Sequence, residues 1–404
     1  MGKTACLRLI NALFQRKWSV FWATEFERVT YEFSDGSVVE ARRSEQLEAF
    51  DESPQSVMFH IFSGGQTENW SPRHTESSPQ RMTMRLDRYL PYITQSGPNR
   101  WVHDFTRQVY NLQELIENYG DQIPDAALAG VTVSVSPLFA KIIDAIDCHL
   151  IETQRLLILA DEDARRPGVS SKLTISKKAQ TLKEIIAREL TSYATLSQSL
   201  DRSFPKRVIE MGSIPPSEDL KGSLDELDAL RRKLMDAGIL DTEHEDTLLP
   251  PGQVNSAIAA VLSVYVRDTR RKLESLSTIL ERLTLFIELI DNRFKPKSIS
   301  VDKRTGFSVK RGEDVTVPLE KLSSGEQHQL VLFFELLFEL KSNALILIDE
   351  PELSLHVAWQ KKFIADLQRI ISLNEFDVLL ATHSPQLIGR WTDIVVELGD
   401  VDAA

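Results

Sequence analysis

The sequence has few of the residues that build disulfide or metal frameworks. Only two cysteines occur in 404 residues, Cys6 and Cys148, and their separation matches no metal-binding spacing. The eight histidines are scattered as well, so the sequence pattern of a metal-dependent nuclease is missing. We therefore expect a protein of the reducing cytoplasm, in which both cysteines are small buried hydrophobic residues.

Long apolar runs and an excess of positive charge are missing too. No stretch of about 18 apolar residues and no signal-peptide pattern occurs, which argues against a membrane location. The 47 basic residues are outnumbered by 59 acidic ones, so bulk attraction to nucleic acid is disfavoured and only local contact stays open. The hydrophobic share of 42% suits a folded protein, and the length predicts a main domain with a large insertion.

The first hundred residues mix helical and strand patterns. Apolar spacing predicts a helix that begins almost at residue 1. Alternation from Val29 to Val39 around Asp35-Gly36 predicts a β-hairpin, and Val57 to Phe62 forms a further strand candidate. The polar segment from Thr67 to Gln80 is interpreted as a surface loop that buries no core.

The middle of the chain is predominantly helical in pattern. Apolar residues at steps of three and four run from Ile175 to Leu200 and from Leu220 to Leu234, and a third helix is predicted from Ile258 to Ile290. These stripes are too brief for a long coiled coil, so we predict a compact helical insertion. The predicted organisation has three parts, which are an N-terminal part of the head at 1–136, the insertion at 137–295 and a C-terminal part of the head at 296–404.

An apolar run near the C-terminus ends in two acids. Ala344 to Ile348 predicts a parallel strand buried on both faces, and Asp349 and Glu350 follow at its carboxyl end. In a nucleotide site, Asp349 can hold hydrated Mg²⁺ and Glu350 can orient the attacking water. A strand end with two solvated acids would explain the pair equally well, but the neighbouring motifs favour the nucleotide site.

Two flanking motifs could contact phosphate. Ser323, Ser324 and Gly325 form a turn at a predicted helix N-terminus, where free N–H groups and the helix dipole attract anions. A plain helix cap by Ser323 is the simpler interpretation. His383 follows a second apolar strand and could reach a γ-phosphate, although a lone histidine in such a place is more often a core residue.

Together, the three motifs resemble the carboxyl half of an ABC-type ATPase head. The resemblance covers about residues 316 to 399 and comprises the signature motif, the Walker B strand, the D-loop and the H-loop in their usual order. It implies an α/β P-loop NTPase head with a mixed sheet, a small antiparallel β subdomain and the helical insertion. It also implies that Ser323 and Gly325 contact a γ-phosphate held by a second subunit, so that a homodimer encloses ATP.

The wording of these motifs is most similar to ATPases of phage-defence systems, in particular the Septu and retron-associated kinds and the overcoming-lysogenisation family. Transporter heads are less similar, because their D-loop ordinarily has an aspartate where this chain has His356. We expect Ser354 and His356 to face the partner head.

The start of the sequence carries the end of a further motif. In a P-loop, Gly-x-x-x-x-Gly-Lys-Ser/Thr, backbone N–H groups cradle phosphates, the lysine reaches the β- and γ-phosphates, and the hydroxyl ligates Mg²⁺. Gly2, Lys3 and Thr4 stand directly before a predicted helix, so we interpret them as the end of a truncated P-loop and Met1 as an internal methionine. With half of the cradle missing, we expect weak or absent ATP turnover by residues 1–404.

Heads of this family also use a glutamine that senses Mg²⁺ and water. Gln95, at the end of a strand candidate and before a turn, is the first choice, and Gln66 is the second.

The predicted function is Mg²⁺-dependent ATP binding and hydrolysis by a homodimer, with a higher oligomer left open, that regulates a partner effector. By the resemblance, this effector would be a nuclease in anti-phage defence. One alternative is a DNA-repair or chromosome-maintenance ATPase that clamps DNA, although the long heptads or zinc hook that would mark it are not seen. The other is a nucleotide-locked scaffold that hardly hydrolyses ATP.

Overall fold

The computed structural model describes most of the chain, namely residues 2–43, 57–72, 89–90, 92–97, 100–104, 107–119, 135–151, 174–211, 220–241, 256–312 and 315–399. Within these ranges, no helix is both long and apolar enough to cross a lipid bilayer.

The N-terminal part combines two helices with a four-stranded antiparallel sheet of order β1-β2-β3-β4. Its elements are α1 (Lys3–Phe14), α2 (Trp18–Ala23), β1 (Arg28–Glu32), β2 (Val38–Arg43), β3 (Val57–Ser63) and β4 (Gln66–Trp70). The predicted first helix and the hairpin around Asp35-Gly36 are therefore confirmed. Gly36 has a φ of 81°, a backbone conformation that glycine adopts without strain and that an L-residue adopts only at a cost.

The prediction of a coreless loop from Thr67 is wrong for its first residues. Strand β4 pairs with β3, and Trp70 packs against the buried rings of Trp18 and Phe59, with centroids 4.8 Å and 5.6 Å away. One aromatic ring at the end of an otherwise polar strand is enough to join it to a core. Residues 73–80 of the predicted loop lie outside the described residues.

A second small sheet and two short helices precede the insertion. Strands β5 (Ile93–Gly97), β6 (Arg100–His103) and β7 (Val109–Tyr110) are antiparallel, and helices α3 (Leu112–Tyr119) and α4 (Pro137–Ile143) follow them.

The central sheet is parallel and has the order β13-β12-β8 in the described part of the chain. Its strands are β8 (Asp147–Ile151), β12 (Ala344–Asp349) and β13 (Asp377–Ala381). Strand β8 was not predicted, because its sequence Asp-Cys-His-Leu-Ile is short and half polar. The sheet of the head therefore reaches into the segment that was expected to be helical from residue 137.

Four long helices build the insertion, and they are α5 (Thr174–Met211), α6 (Leu220–Asp236), α7 (Ser256–Glu274) and α8 (Ser277–Phe294). The predicted stripe of α5 buries Ile175, Leu182 and Ile186. The single helix predicted from Ile258 to Ile290 is wrong, since the chain breaks between α7 and α8, where Leu276 is fully buried. Both halves keep helical periodicity, so the break leaves no trace in the apolar pattern.

The C-terminal part of the chain again combines strands and helices. It contains β9 (Lys297–Asp302), β10 (Gly306–Arg311) and β11 (Val315–Val317), and then α9 (Ser324–Phe334), which continues as a π-helical turn (Glu335–Glu339). After β12 come a 3-10 turn (Pro351–Ser354), α10 (Val357–Asn374), β13 and α11 (Pro385–Ile388).

Strand β12 is covered on both faces, as its apolar run predicts. Leu347 packs with Leu7 of α1 and with Cys148 of β8, whereas Ile346 and Ile348 face the large core that contains α9 and the insertion helices. Cys148 is buried as expected, but Cys6 is exposed, which corrects the prediction for that residue. Cys6 lies in the first turns of α1, beside the exposed Gly2, where the helix extends towards the edge of the sheet.

Candidate nucleotide-binding site

The carboxyl edge of the parallel sheet meets the N-terminus of α1. Thr4 donates its hydroxyl hydrogen to the Asp349 carboxylate, with Oγ1 and Oδ1 3.1 Å apart, although 345 positions separate the two residues in sequence. Asp349 is the last residue of β12 and only 9% exposed. A hydroxyl and a carboxylate oxygen are the ligands that Mg²⁺ takes from a protein when it also binds phosphates.

Lys3 and His383 form the second contact at this edge. Lys3 Nζ lies 3.2 Å from His383 Nδ1. Because an ammonium can only donate, Nδ1 accepts here, and the ring proton then resides on Nε2. The structure thus brings together a cation, a hydroxyl, a carboxylate and an imidazole from opposite ends of the chain.

Residue Gly2 leaves room for a ligand in front of α1. Its φ is 127°, and a Cβ built on it would meet no atom within 4 Å. Helix α1 has 12 residues, and no side chain of the described residues caps its N-terminus. Since no described side chain caps this helix, the N–H groups and the dipole of its first turn could bind an anionic ligand.

The packing of α1 explains why these side chains converge. Parallel strands end at the same edge, so Asp349 and the residues that follow β13 are neighbours. Leu7 anchors α1 against Leu347 and Ala381 on the sheet face, which directs the first turn of the helix towards the same edge.

Glu350 occupies an uncommon backbone conformation at this edge. Its φ of 43° and ψ of 55° lie in the left-handed region, and its N–H donates to the Ala381 carbonyl at 2.9 Å. The chain turns sharply there, so that the half-buried Glu350 follows Asp349 directly without continuing β12. The two carboxylates therefore differ in exposure, since Asp349 is buried and Glu350 is half-buried.

The signature turn, defined as Ser323, Ser324 and Gly325, begins α9. Ser323 accepts from the Glu326 N–H, and Glu326 accepts from the Ser323 N–H at 2.8 Å, which forms a capping box. Lys297 donates to both Glu326 oxygens at 2.8 Å. Burial alone would raise the pKa of Glu326, but hydrogen bonds from Lys297 and Ser323 outweigh it and lower that pKa.

The cap interpretation and the anion interpretation of the signature turn are therefore compatible. Ser323 caps the helix, yet Ser323 and Ser324 are exposed and Gly325 is half-exposed. The Ser323 N–H and hydroxyl both donate to Glu326 Oε2, so the exposed part of the turn outside the capping box is Ser324, with Gly325 beside it. Lys297, which supports it, was not predicted, since it precedes the turn by 26 positions and lies in a separate strand.

The residues after β13 are held by side chains that were also not predicted. Glu352 Oε1 accepts from Thr382 Oγ1 and from the His383 N–H, both at 2.7 Å. Ser384 Oγ donates to Gln360 Oε1 at 2.6 Å. The only signal for Glu352 in the sequence is its position two residues after Glu350.

The remaining predicted site residues lie elsewhere. Gln95 is on β5 of the second small sheet and donates its amide to the Gly97 carbonyl at 2.9 Å, while Gln66 is exposed at the start of β4. Both glutamines thus belong to other sheets than Asp349. Ser354 ends the 3-10 turn after β12, and the exposed His356 caps α10, accepting from the Ala358 N–H at 3.3 Å.

A parallel sheet whose carboxyl edge meets a helix that begins with glycine, lysine and threonine defines the class of this protein. It is an α/β protein of the P-loop NTPase type, with a helical insertion before the acidic strand end.

Comparison with known families agrees with this class. Residues 151–389, more than half of the chain, match the family described as "AAA domain, putative AbiEii toxin, Type IV TA system". The chain belongs to this family of AAA ATPase domains. The predicted ABC-type ATPase class is therefore supported at this coarser level, and the match agrees with ATP binding and hydrolysis as the chemistry of the site.

One similar solved structure is the Smc head domain with an extended coiled coil, bound to the C-terminal domain of ScpA, from Pyrococcus furiosus. It is 12% identical, with 87% of this chain and 71% of that chain covered and a TM-score of 0.24, a likeness too slight to add to the fold described above. No curated protein matches the chain significantly.

Proposed function

We propose that this protein binds Mg²⁺-ATP at the carboxyl edge of the parallel sheet and hydrolyses it in a dimer whose state controls a partner effector. The observation that carries the proposal is the convergence of Lys3, Thr4, Asp349 and His383 from the two ends of the chain. Positioning of this kind, combined with electrostatic stabilisation, is what phosphoryl transfer requires from a protein.

Each group has a role that its surroundings support. Lys3 would bind the β- and γ-phosphates in front of α1, and Thr4 and Asp349 would hold the metal. The bound Mg²⁺ would neutralise charge on the phosphate oxygens. Glu350 would orient the attacking water, and His383, within reach of Lys3, would contact the γ-phosphate.

The dimer is proposed from the exposure of the signature turn. Its serines are solvent-exposed and its glycine is half-exposed, whereas α9 is buried in the core from Gln329 to its end. An anion-binding turn that faces outwards suits a phosphate held by a second copy of the chain. The 3-10 turn with Ser354 and the cap residue His356 would then contact the same partner.

A mixing experiment with the full-length gene product tests whether two chains share a site. Lys3→Ala removes the phosphate-binding ammonium, and Gly325→Asp places a negative charge on the signature turn. Aspartate is favoured in the first turn of a helix, so the second variant should fold. Each variant alone should be inactive in ATP turnover. Their mixture should regain about a quarter of the wild-type rate, because half of the dimers then hold one intact site of two.

A matched control carries the same two substitutions in one chain. The Lys3→Ala, Gly325→Asp double variant mixed with wild-type chains should lower the rate, since a mixed dimer then has no intact site. If each chain has its own complete site, the single variants stay inactive when mixed and the double variant does not inhibit. That pattern, with mixed dimers detected, would contradict the shared site.

The effector is proposed to be a nuclease in anti-phage defence. Support comes from the resemblance of the motifs to phage-defence ATPases and from the family description as a toxin of a type IV toxin–antitoxin system. The test is co-purification of the tagged chain with the products of adjacent genes, followed by nuclease assays with and without ATP. A chain that cleaves nucleic acid by itself, or a neighbour without such activity, would contradict this proposal.

A further inference from the structure

The loop that presents His383 is held by side chains and, at Ser384, also by backbone bonds from the Leu387 and Ile388 N–H groups of α11. Strand β13 ends at Ala381, so Thr382, His383 and Ser384 follow it without sheet pairing. Such a loop would be free to shift relative to Lys3 unless other groups held it. In this protein the holding groups come from the neighbouring turn after β12 and from α10.

Glu352 makes two short contacts to this loop. Its Oε1 atom accepts two hydrogen bonds at 2.7 Å, one from the Thr382 hydroxyl and one from the His383 backbone N–H. Since the hydroxyl gives its only proton to Glu352, its lone pairs are free to accept, and the Ser384 N–H donates to Thr382 Oγ1 at 2.9 Å. One carboxylate oxygen therefore orders three consecutive residues.

The environment of Glu352 indicates that these two hydrogen bonds are the main structural role of its side chain. Its other oxygen, Oε2, is buried and has no hydrogen-bond partner among the described residues. Burying a carboxylate oxygen without a hydrogen-bond partner costs desolvation free energy, and no contact within the turn of Glu352 offsets this cost. All of its side-chain bonds go to the histidine loop.

A second residue supports the same loop from α10. Gln360 Oε1 accepts from Ser384 Oγ at 2.6 Å, and Gln360 Nε2 donates to the Leu355 carbonyl at 3.1 Å. The loop is thus tied to the turn and helix that contain Ser354 and His356, the residues predicted to face a partner chain.

We propose that Glu352 is a positioning residue that sets His383 relative to Lys3 and links the histidine to the partner-facing turn. This inference rests on the proposed ATPase function, but its physical part, the ordering of residues 382–384, is independent of it. Glu352 itself would not touch the nucleotide and would act through His383.

The test compares Glu352→Ala, Glu352→Gln and His383→Ala in the full-length gene product. Alanine removes the acceptor, whereas the glutamine carbonyl can accept the same two bonds and its amide nitrogen replaces an oxygen that has no partner anyway. We expect Glu352→Ala to lower kcat about tenfold with little change in the KM for ATP, and Glu352→Gln to retain most of the activity. Glu274→Ala, an exposed position at the end of α7, is the control and should change neither quantity.

A double variant separates positioning from a general structural role. If Glu352 acts through His383, the Glu352→Ala, His383→Ala variant should be no slower than His383→Ala alone. Multiplied losses in the double variant would overturn the proposal, as would a Glu352→Gln variant as slow as Glu352→Ala.

A readout without nucleotide keeps the inference testable if the proposed function fails. Amide hydrogen exchange of His383 and Ser384 should be faster in Glu352→Ala than in wild type and close to wild type in Glu352→Gln, at equal global stability. Unchanged exchange in Glu352→Ala would overturn the inference. Absence of ATP binding and turnover by wild type would instead overturn the proposed function and leave the exchange result to decide the role of Glu352.

Discussion

The sheet edge with Lys3, Thr4, Asp349 and His383 and the signature turn at Ser323 are built in different ways. The edge joins residues that are 345 and 380 positions apart, so it exists only when the whole α/β domain is folded. The signature turn is held within four residues by a capping box and receives one outside contact from Lys297.

The difference indicates which of the two regions can contact a partner chain. At the edge, side chains of α1 contact residues at the ends of the sheet strands, and this geometry depends on tertiary packing. The signature turn carries its own geometry and leaves both serines exposed, although the Ser323 hydroxyl is bound to Glu326. In the proposed dimer, the first would hold a nucleotide and the second would complete the site of the partner.

Among the substitutions that test this difference between the sheet edge and the signature turn, Lys3→Ala should have the largest effect. Loss of the ammonium in front of α1 should lower ATP turnover by about a thousandfold and also weaken ATP binding by a single chain. Phosphate release and equilibrium binding of a fluorescent ATP analogue measure the two effects. Unchanged binding would mean that the edge is not the nucleotide site.

Glu350→Gln should separate chemistry from binding at the same edge. The amide cannot polarise water as a carboxylate does, so turnover should fall by roughly a hundredfold while ATP binding remains. ATP-bound dimers should then accumulate, and light scattering would detect them. A variant that hydrolyses ATP normally would remove Glu350 from the mechanism.

Ser323→Ala should affect the signature turn alone. Loss of the cap should cost about 1 kcal/mol of stability, measured by urea unfolding. Loss of the hydroxyl should slow turnover by about tenfold, yet leave ATP binding by a single chain unchanged. If single-chain binding falls as well, the two regions are not separate in function.

Lys297→Met should have the smallest effect, and one that depends on pH. Because the pKa of Glu326 is lowered in the folded protein from its ordinary value of 4.5, its ionised form stabilises the fold above that pH. This stabilisation is lost as pH falls through the lowered pKa. Lys297→Met should therefore reduce the free energy of unfolding at neutral pH, and its difference from wild type should shrink below about pH 4. A difference that is independent of pH would exclude the contact with Glu326 as its cause.

The sequence predicts the parts of the fold that have strong periodicity. Helix α1, the hairpin around Asp35-Gly36 and the buried strand β12 all have apolar patterns that match their burial, and the α/β class is confirmed. Strands β4 and β8 were missed because β4 is mostly polar and β8 is short, with Asp147 and His149 among its apolar residues. Their placement depends on a few contacts such as those of Trp70 and Cys148.

The same limit applies to the candidate site. Residues in recognisable motifs, such as Lys3 and Asp349, are brought together by the fold, and their proposed roles stay predictions. Glu352 and Lys297 support the histidine loop and the signature turn through contacts between distant elements. No local sequence pattern predicts such partners, since they cannot be distinguished in a sequence from any other surface acid or lysine. Gln95 illustrates the converse, because a plausible local setting does not place it in the parallel sheet.

The left-handed backbone of Glu350 has a consequence for the evolution of this edge. A glycine at that position would relax the main chain by about 1 kcal/mol and make the protein more resistant to heat, at the expense of the carboxylate. Selection for thermal stability alone would therefore replace Glu350 by glycine. Its presence in a conformation that disfavours it suggests that the molecule tolerates a less stable resting form in exchange for a carboxylate at the end of β12.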